Sequence, residues 1–558
     1  MDIQRYLLTG ALVVLAFMLM TEWGKFSQQH SAAAVATTVA PATPNVPGET
    51  SGADLSADVP TAAGAQAAKA PEATSVASDA SRLVRVRTDV LDIQIDRQGG
   101  DIVRVALPEH LTKLDAPEAF VLLSNNEQRQ YVAKSGLIGL DSNEGRPLYT
   151  VSATDFQLSE GADTLTVTLS FETPQQLVVH KTFTLRRGDY LVDVGYSVEN
   201  RGAEPWQGTL YGQLRRDSSA DPSVFTGGFG ISSFLGFAIN RIDSASGKVD
   251  GYYKMKFADV AETPLNVQQQ GGWIALVQHY FLSAWIPAAD QQHQYVTNSR
   301  DGINLAYFTG PTKTLAPGSS ADFRAQFYAG PKDQYRLREI SPGLDLSVDY
   351  GWLWWIAQPL FWLLTKIHGW LANWGWSIMV LTLLVKAAFF WLNAKAYVSM
   401  ANMRRVQPKL VEIRERYADD KQKQSVEMMN LYKTEKINPL GGCLPVLVQM
   451  PVFLALYWVL LESVELRHAP WILWIKDLSA MDPYYVLPLL MGVTMFVQQK
   501  LNPPPPDPMQ AKIMQWMPVM FTFFFLWFPA GLVLYYVVNN LLSIGQQYVI
   551  TKRIVKDL

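Results

Sequence analysis

Residues 378–392 read IMVLTLLVKAAFFWL, an apolar run that holds one ammonium, Lys386, and one hydroxyl, Thr382. A helix that is apolar on nearly every side belongs in a bilayer or a wholly enclosed core. An ammonium at membrane depth costs about 2.5–3.5 kcal/mol on insertion scales, so such side chains face protein or water rather than lipid. Thr382 lies one turn before Lys386 and Asn393 two turns after it, which makes one stripe of this helix polar. Two placements are open for Lys386. It faces a water-accessible cavity, or its stem snorkels toward Lys395, nine residues on and about 13.5 Å along a helix.

Outward from this run, the chain beyond Leu344 alternates long apolar stretches with short polar ones. Candidate spans cover 374–392, 440–461, 484–499, 513–528 and 532–548. Residues 350–367 (YGWLWWIAQPLFWLLTKI) are apolar but are interrupted by Pro359, and clustered Trp favours the headgroup boundary. They read as an amphipathic helix lying in the outer interface. Nine Lys/Arg stand against six acids in 400–436, while 462–483 carries Arg467 and Lys476. The positive-inside rule places the first connection in the cytoplasm and the second outside. Lys500, Lys512, Lys552, Arg553 and Lys556 then also fall inside. A further run at 7–20, preceded by Arg5, reads as an uncleaved signal anchor with a cytoplasmic N-terminus. Six spans result, with both termini cytoplasmic. Residues 484–499 and 513–528 are short, roughly 24 Å of helix against a hydrocarbon core of about 30 Å, and such spans thin the bilayer around them.

Further polar groups lie in these spans: Gln449, then Tyr535, Tyr536, Asn539 and Asn540 in the last. No carboxylate lies mid-membrane, which argues against a proton- or sodium-coupled carrier. A solute transporter with a periplasmic binding domain is the alternative. It requires internal repeats and such a carboxylate, and neither is visible. Residues 396–437 mix charge with Val406, Leu410, Ile413 and Tyr417, then Val426, Met429 and Leu431, broken by Ala418-Asp419-Asp420. The pattern predicts a hairpin of two antiparallel helices.

The whole chain has 558 residues, 17% of them charged, with a net charge of −3, which excludes a polycationic nucleic-acid binder. One cysteine, Cys443, excludes an intrachain disulfide framework, and seven scattered histidines without an HxxxH or HxH pair argue against a metal site. No GxxxxGK[ST], GxSxG or HExxH occurs, so neither catalysis nor a cofactor is expected. Residues 27–80, rich in Ala, Ser, Thr and Pro, read as a disordered tether. From Leu83 to about Gly330, alternation as in TLTVTLSF (164–171), with turns at Arg187-Gly188-Asp189 and Asn200-Arg201-Gly202, predicts a large antiparallel sandwich.

Three blocks then stand out: Asn373-Trp374-Gly375-Trp376-Ser377-Ile378; Asn438-Pro439-Leu440-Gly441-Gly442-Cys443-Leu444-Pro445 with Gln449-Met450-Pro451; and Phe528-Pro529-Ala530-Gly531-Leu532-Val533-Leu534-Tyr535-Tyr536. In this order they resemble the YidC/Oxa/Alb family of membrane protein insertases. Gly272-Trp273-Ile274-Ala275 and Tyr328-Ala329-Gly330-Pro331 are similar to its Gram-negative form, with an extra N-terminal span and a periplasmic β-supersandwich. The resemblance implies an insertase and foldase that takes nascent membrane proteins from ribosomes, alone or with the Sec translocon, and releases them into membrane lipids. It implies a hydrophilic groove whose positive residue, most often Arg, is Lys386 here. The charge is kept and the bidentate fork is lost. Substrate contact maps onto Thr382, Met450, Phe453, Phe524 and Tyr536, with Gln449 and Tyr535 beside them. The hairpin matches a loop linked to signal recognition particle components and the ribosome.

The expected fold is thus a polytopic α-helical inner-membrane protein of six spans, five forming the insertase core. A periplasmic antiparallel β-supersandwich and a cytoplasmic helical hairpin are attached to it. Its expected parts are a signal anchor (1–26), a linker (27–80), the β domain (81–333), an interfacial helix (344–370), a second span (371–397), the hairpin (398–438), four further spans (439–550) and a cytoplasmic tail (551–558).

Overall fold

The computed structural model describes residues 59–60, 82–114, 116–142, 145–222, 234–242, 249–435, 444–502 and 508–556. The expected anchor and nearly all of the tether lie outside the described residues, as do Asn438 to Cys443 of the second block.

Between Leu83 and Pro331 the chain forms a ten-stranded and a nine-stranded sheet. Their facing residues include Val84, Ile93, Ile95, Val105 and Tyr131 on one side and Val167, Val179, Phe183, Val194 and Phe327 on the other. The alternation that predicted strands is what fills this core, because every second side chain of a strand points inward. In Thr164–Glu172, for example, Val167 and Leu169 are buried between exposed threonines. The pairing is antiparallel except where Leu83–Arg87 runs parallel to the short edge strand Asp155–Gln157. Arg187-Gly188-Asp189 closes the hairpin of Leu177–Arg186 and Leu191–Asn200, while Asn200-Arg201-Gly202 carries the chain from one sheet to the other; Gly188 adopts φ 67°, a conformation open to glycine at little cost.

A buried polar cluster crosses this core. Lys181 Nζ donates to the carbonyls of Gly99 (3.1 Å), Gly100 (2.8 Å) and Ser135 (3.0 Å). Arg146 pairs with Asp101 and, at 3.3 Å, with Asp141. Burial pushes the Lys181 ammonium down to about 7, against the pull of Asp101 and Asp141. Between about pH 7 and its ordinary value of 10.5 the unfolded chain therefore holds a proton that the folded one releases. Folding stability should rise with pH across that window, by at most about 1.4 kcal/mol per pH unit from this group. Urea unfolding of the chain between pH 7 and 9, followed by circular dichroism, should show that slope, and Lys181→Met should flatten it.

Two short helices, α1 (Phe257–Glu262) and α2 (Gln334–Ile340), belong to the sandwich and its exit. The rest are α3 (Trp354–Leu371), α4 (Trp374–Ala388), α5 (Phe390–Arg416), α6 (Lys421–Thr434), α7 (Leu444–Glu462), α8 (Val486–Leu501), α9 (Pro508–Phe525) and α10 (Ala530–Lys556). In α3 the positions Ala357, Phe361, Leu364 and Ile367 repeat every three or four residues and are buried, and α3 packs on α4 and α7. Trp354, Trp355, Trp362 and Trp370 occupy its other sides and are exposed, Trp370 by 91%. The amphipathic pattern read from the sequence is realised.

One expectation is corrected. The run 374–392 is not one helix: α4 and α5 meet at Phe389 with a 68° bend. Neither Pro nor Gly marks this break. Phe389 takes φ −91°, ψ 8° while its N–H still reaches Val385 O at 3.1 Å, so the chain turns without orphaning a donor. α10 continues to Lys556, within the expected 551–558 tail. Among the described residues no single helix is long and apolar enough to cross a membrane, while the bent pair α4–α5 passes that test together. The hairpin itself breaks where expected. Asp420 caps α6 by accepting from Lys423 N–H (3.0 Å), and Val406 and Leu410 pack against Met428, Leu431 and Tyr432. Val426 and Met429 are exposed instead.

The sandwich is seated on the helices rather than hanging free of them. Arg467, in the connection after α7, donates to Leu111 O (2.6 Å) and Thr112 O (3.3 Å). Its guanidinium stacks over Phe120 and Phe281, 5.5 and 5.4 Å from the ring centres. His279 Nε2 lies 3.0 Å from Leu461 O, and Lys332 makes a buried pair with Glu462 at 3.0 Å.

Candidate functional site

Lys386 sits one turn after Thr382 on α4, just before the bend. It is 93% buried, and its Nζ donates to Ser543 Oγ on α10 at 2.8 Å. Its partner is a neutral hydroxyl, which itself donates a hydrogen bond to Asn539 O at 2.7 Å. Beyond the bend, Asn393 is buried on α5, where its Oδ1 accepts from Gln449 Nε2 of α7 at 3.3 Å. Its Nδ2 is buried without a partner. Lys386 before the bend and Asn393 after it thus both bond inward, to α10 and to α7, and neither side chain reaches outward as a snorkelling lysine would.

That interior is polar along much of its length. Asn540 Nδ2 donates to Thr494 Oγ1 of α8 at 3.3 Å, and Gln547 Nε2 to Leu501 O and Asn502 Oδ1 at 3.1 and 3.0 Å. Buried amide atoms at Asn393, Gln499 and Gln547 lack a protein partner, as expected where water or a guest chain completes the set. Ser543, Thr494 and Gln547 were not singled out from the sequence. The signal was present: Asn539, Asn540, Ser543, Gln546 and Gln547 recur at three- and four-residue spacing, which puts a polar stripe on one side of α10.

A second, apolar surface adjoins. Phe453 packs on Tyr536 (4.7 Å) and Tyr535 (6.1 Å), and Phe525 on Tyr536 (4.8 Å). Phe524 joins through Phe528 at 4.9 Å. Met450 and Phe524 are 50% and 42% exposed, Phe453 and Tyr536 are half-buried, and Tyr535 is buried. Thr382 departs from its expected place. It is buried, and its hydroxyl donates to Ile378 O at 2.6 Å, satisfied within its own helix.

The outer end is shut by the connection between α7 and α8, and the first and third sequence blocks are what hold it. Asn373 caps α4 through Trp376 N–H (3.1 Å) while its Nδ2 donates to Trp471 O (3.1 Å). Gly375 lies so close to Trp471 that a Cβ would sit 2.1 Å from the indole. From the other side, Ala530 N–H reaches Ala480 O at 2.7 Å and Gly531 N–H reaches Leu478 O at 2.9 Å. Asp482 is buried and accepts from Trp474 Nε1 (3.0 Å) and Leu487 N–H (2.7 Å).

A buried cation behind a half-exposed aromatic surface, closed at one end and joined to a β-sandwich, fits a protein that handles other membrane proteins without reacting with them. Residues 83–363 match the model of the YidC periplasmic domain, and residues 366–557 match that of the 60Kd inner membrane protein. The chain is 51% identical over 564 residues to the membrane protein insertase YidC of Stutzerimonas stutzeri, covering 99% of each. It is 50% identical over 566 residues to that of Azotobacter vinelandii, covering 100% of this chain and 99% of the relative. A crystal structure of an active YidC insertase aligns over 85% of this chain and 93% of that one, at 19% identity and a TM-score of 0.38. The class is a non-enzymatic membrane protein insertase of the inner membrane, with its sandwich in the periplasm. The chain belongs to the YidC family.

Proposed function

We propose that the Lys386 interior is the groove that receives the hydrophilic part of a substrate. Met450, Phe453, Phe524 and Tyr536 are then the face along which its apolar segment moves into lipid. The observation that carries this reading is the Lys386 ammonium, buried yet bonded to one neutral hydroxyl, so that it keeps its attraction for an acidic or polar guest. Gln449 and Asn393 offer amides to a passing backbone, and Tyr535 backs the aromatic face. Burial of the substrate's apolar surface in lipid supplies the driving force, so no nucleotide is required.

The proposal includes a multi-pass topology with both termini cytoplasmic, which follows from the charge excess of 400–436. The α5–α6 hairpin then faces the ribosome and signal recognition particle components, to which its basic residues are suited. The lipid-facing side is where the Sec translocon and membrane lipids meet the substrate. The test uses Lys386→Cys in a Cys443→Ser background. A membrane-impermeant maleimide should label it in inverted vesicles. Protection in intact and inverted vesicles alike would remove the groove.

A further inference from the structure

At the seat of the sandwich, a cavity of about 390 Å³ opens between the strand Val249–Lys256, the segment before α3 and the outer end of α7. Its volume lies in the range of small-molecule sites, which favour boundaries between domains. The charges on its wall are mixed. Lys254 pairs with Asp349, and Lys332 pairs with Glu462 at 3.0 Å while reaching Ser347 O at 3.4 Å. Lys256 adds an exposed third cation. Tyr252, also in the wall, has a buried hydroxyl with no hydrogen-bond partner, which is costly unless a guest supplies one. Trp458 and Leu461 of α7 form the apolar side.

We propose that this cavity holds the headgroup of a zwitterionic aminophospholipid. A simple anion would meet Asp349 and Glu462, and a simple cation would meet three lysines. A group that carries a phosphate and a primary ammonium satisfies both sets. The phosphate accepts from Lys254, Lys256 and the Tyr252 hydroxyl, each a charge-assisted contact. The ammonium donates to Asp349 and Glu462. The glycerol end lies against Trp458 and Leu461, where α7 leaves its apolar stretch and an indole suits the headgroup level. The site rests on the proposed placement of 462–483 outside the membrane. Its effect is to tie the sandwich to the outer leaflet beside the closed end of the groove.

The full chain is purified, washed in detergent and returned to nanodiscs that pair phosphatidylglycerol with either phosphatidylethanolamine or phosphatidylcholine. Lipid retained per chain is counted by native mass spectrometry. One ethanolamine lipid should survive washing in the wild type and should be lost about ten-fold more readily in Tyr252→Phe and in the charge-balanced Lys254→Gln/Asp349→Asn pair. Hydrogen exchange over 249–256 should slow with the ethanolamine lipid and not with the choline lipid, whose trimethylated head cannot donate. Equal retention by both variants would overturn the site. Equal retention of choline or glycerol lipids would overturn the zwitterionic assignment. Full protection by soluble phosphoethanolamine, with no lipid retained, would overturn the lipid source. A chain that keeps the lipid but shows no maleimide access at 386 would remove the groove and leave this site standing.

Discussion

Lys386→Glu should lower insertion of substrates with acidic translocated segments by at least ten-fold, while Lys386→Arg should keep it near wild type. The ammonium is 2.8 Å from Ser543 Oγ, and among the described residues no carboxylate accepts from it, so its field is available to a guest. Two unit charges 4 Å apart interact by about 4 kcal/mol at an effective dielectric of 20, and a ten-fold change needs about 1.4 kcal/mol. Reversal converts attraction into repulsion of similar size, so a ten-fold loss is a conservative expectation. Arginine keeps the charge, and its fork can still donate to Ser543. Substrates without acidic residues in the translocated segment should be affected less. Protease protection of inserted substrate in inverted vesicles reads the difference. Equal insertion by the glutamate variant would mean that electrostatic attraction is not how the groove works.

Removal of 350–367 should abolish complementation of a depleted strain, while removal of about 83–320 should leave it largely intact. The first deletion takes away Phe361 and Leu364, which are buried against α4 and α7, the helices that carry Lys386 and Gln449. Loss of such side chains costs about 2–5 kcal/mol each, comparable to the stability of a whole domain. The second deletion takes away Leu111, Phe120 and Phe281, the partners of Arg467, but spares Asn373, Gly375, Ala530 and Gly531, which hold the outer cap. Arg467 would then face water, which solvates it well. A lower melting temperature is expected from that loss, with insertion retained. Survival of the first deletion and failure of the second would move the working site into the periplasm.

Much of this architecture was legible because it depends on local patterns. Period-two alternation placed the strands, since a residue two positions on returns to the same face, as Ile93 and Ile95 do. The polar stripe through Thr382, Lys386 and Asn393 was legible from spacing, while its reading as a groove came from the resemblance. The bend at Phe389 was not legible, because the usual breakers are absent and the contacts on either side of it, to Ser543 and Gln449, come from distant parts of the chain. The burial of Thr382 was hidden for a related reason. A threonine in a helix can satisfy itself on the carbonyl four residues back, as it does on Ile378. The seat of the sandwich was beyond reach as well. Arg467 and Leu111 are 356 positions apart, and nothing in either neighbourhood announces the other. The cap motifs were recognisable as blocks, but their meaning, room for Trp471 at Gly375 and backbone donors at Ala530 and Gly531, emerged from packing.

In the proposed path one substrate touches the polar interior and the aromatic face together. The direct measurement is site-specific photocrosslinking of ribosome-stalled nascent chains, with the probe placed in turn at Gln449, Met450, Phe524 and Tyr536 and, as a control, at Trp370 on the exposed side of α3. As the chain lengthens, crosslinks should appear first at Gln449, with the translocated segment, and then at Met450, Phe524 and Tyr536, with the apolar segment. Trp370 should stay silent. Crosslinks at Trp370 with silence at the four interior and aromatic positions would contradict the account.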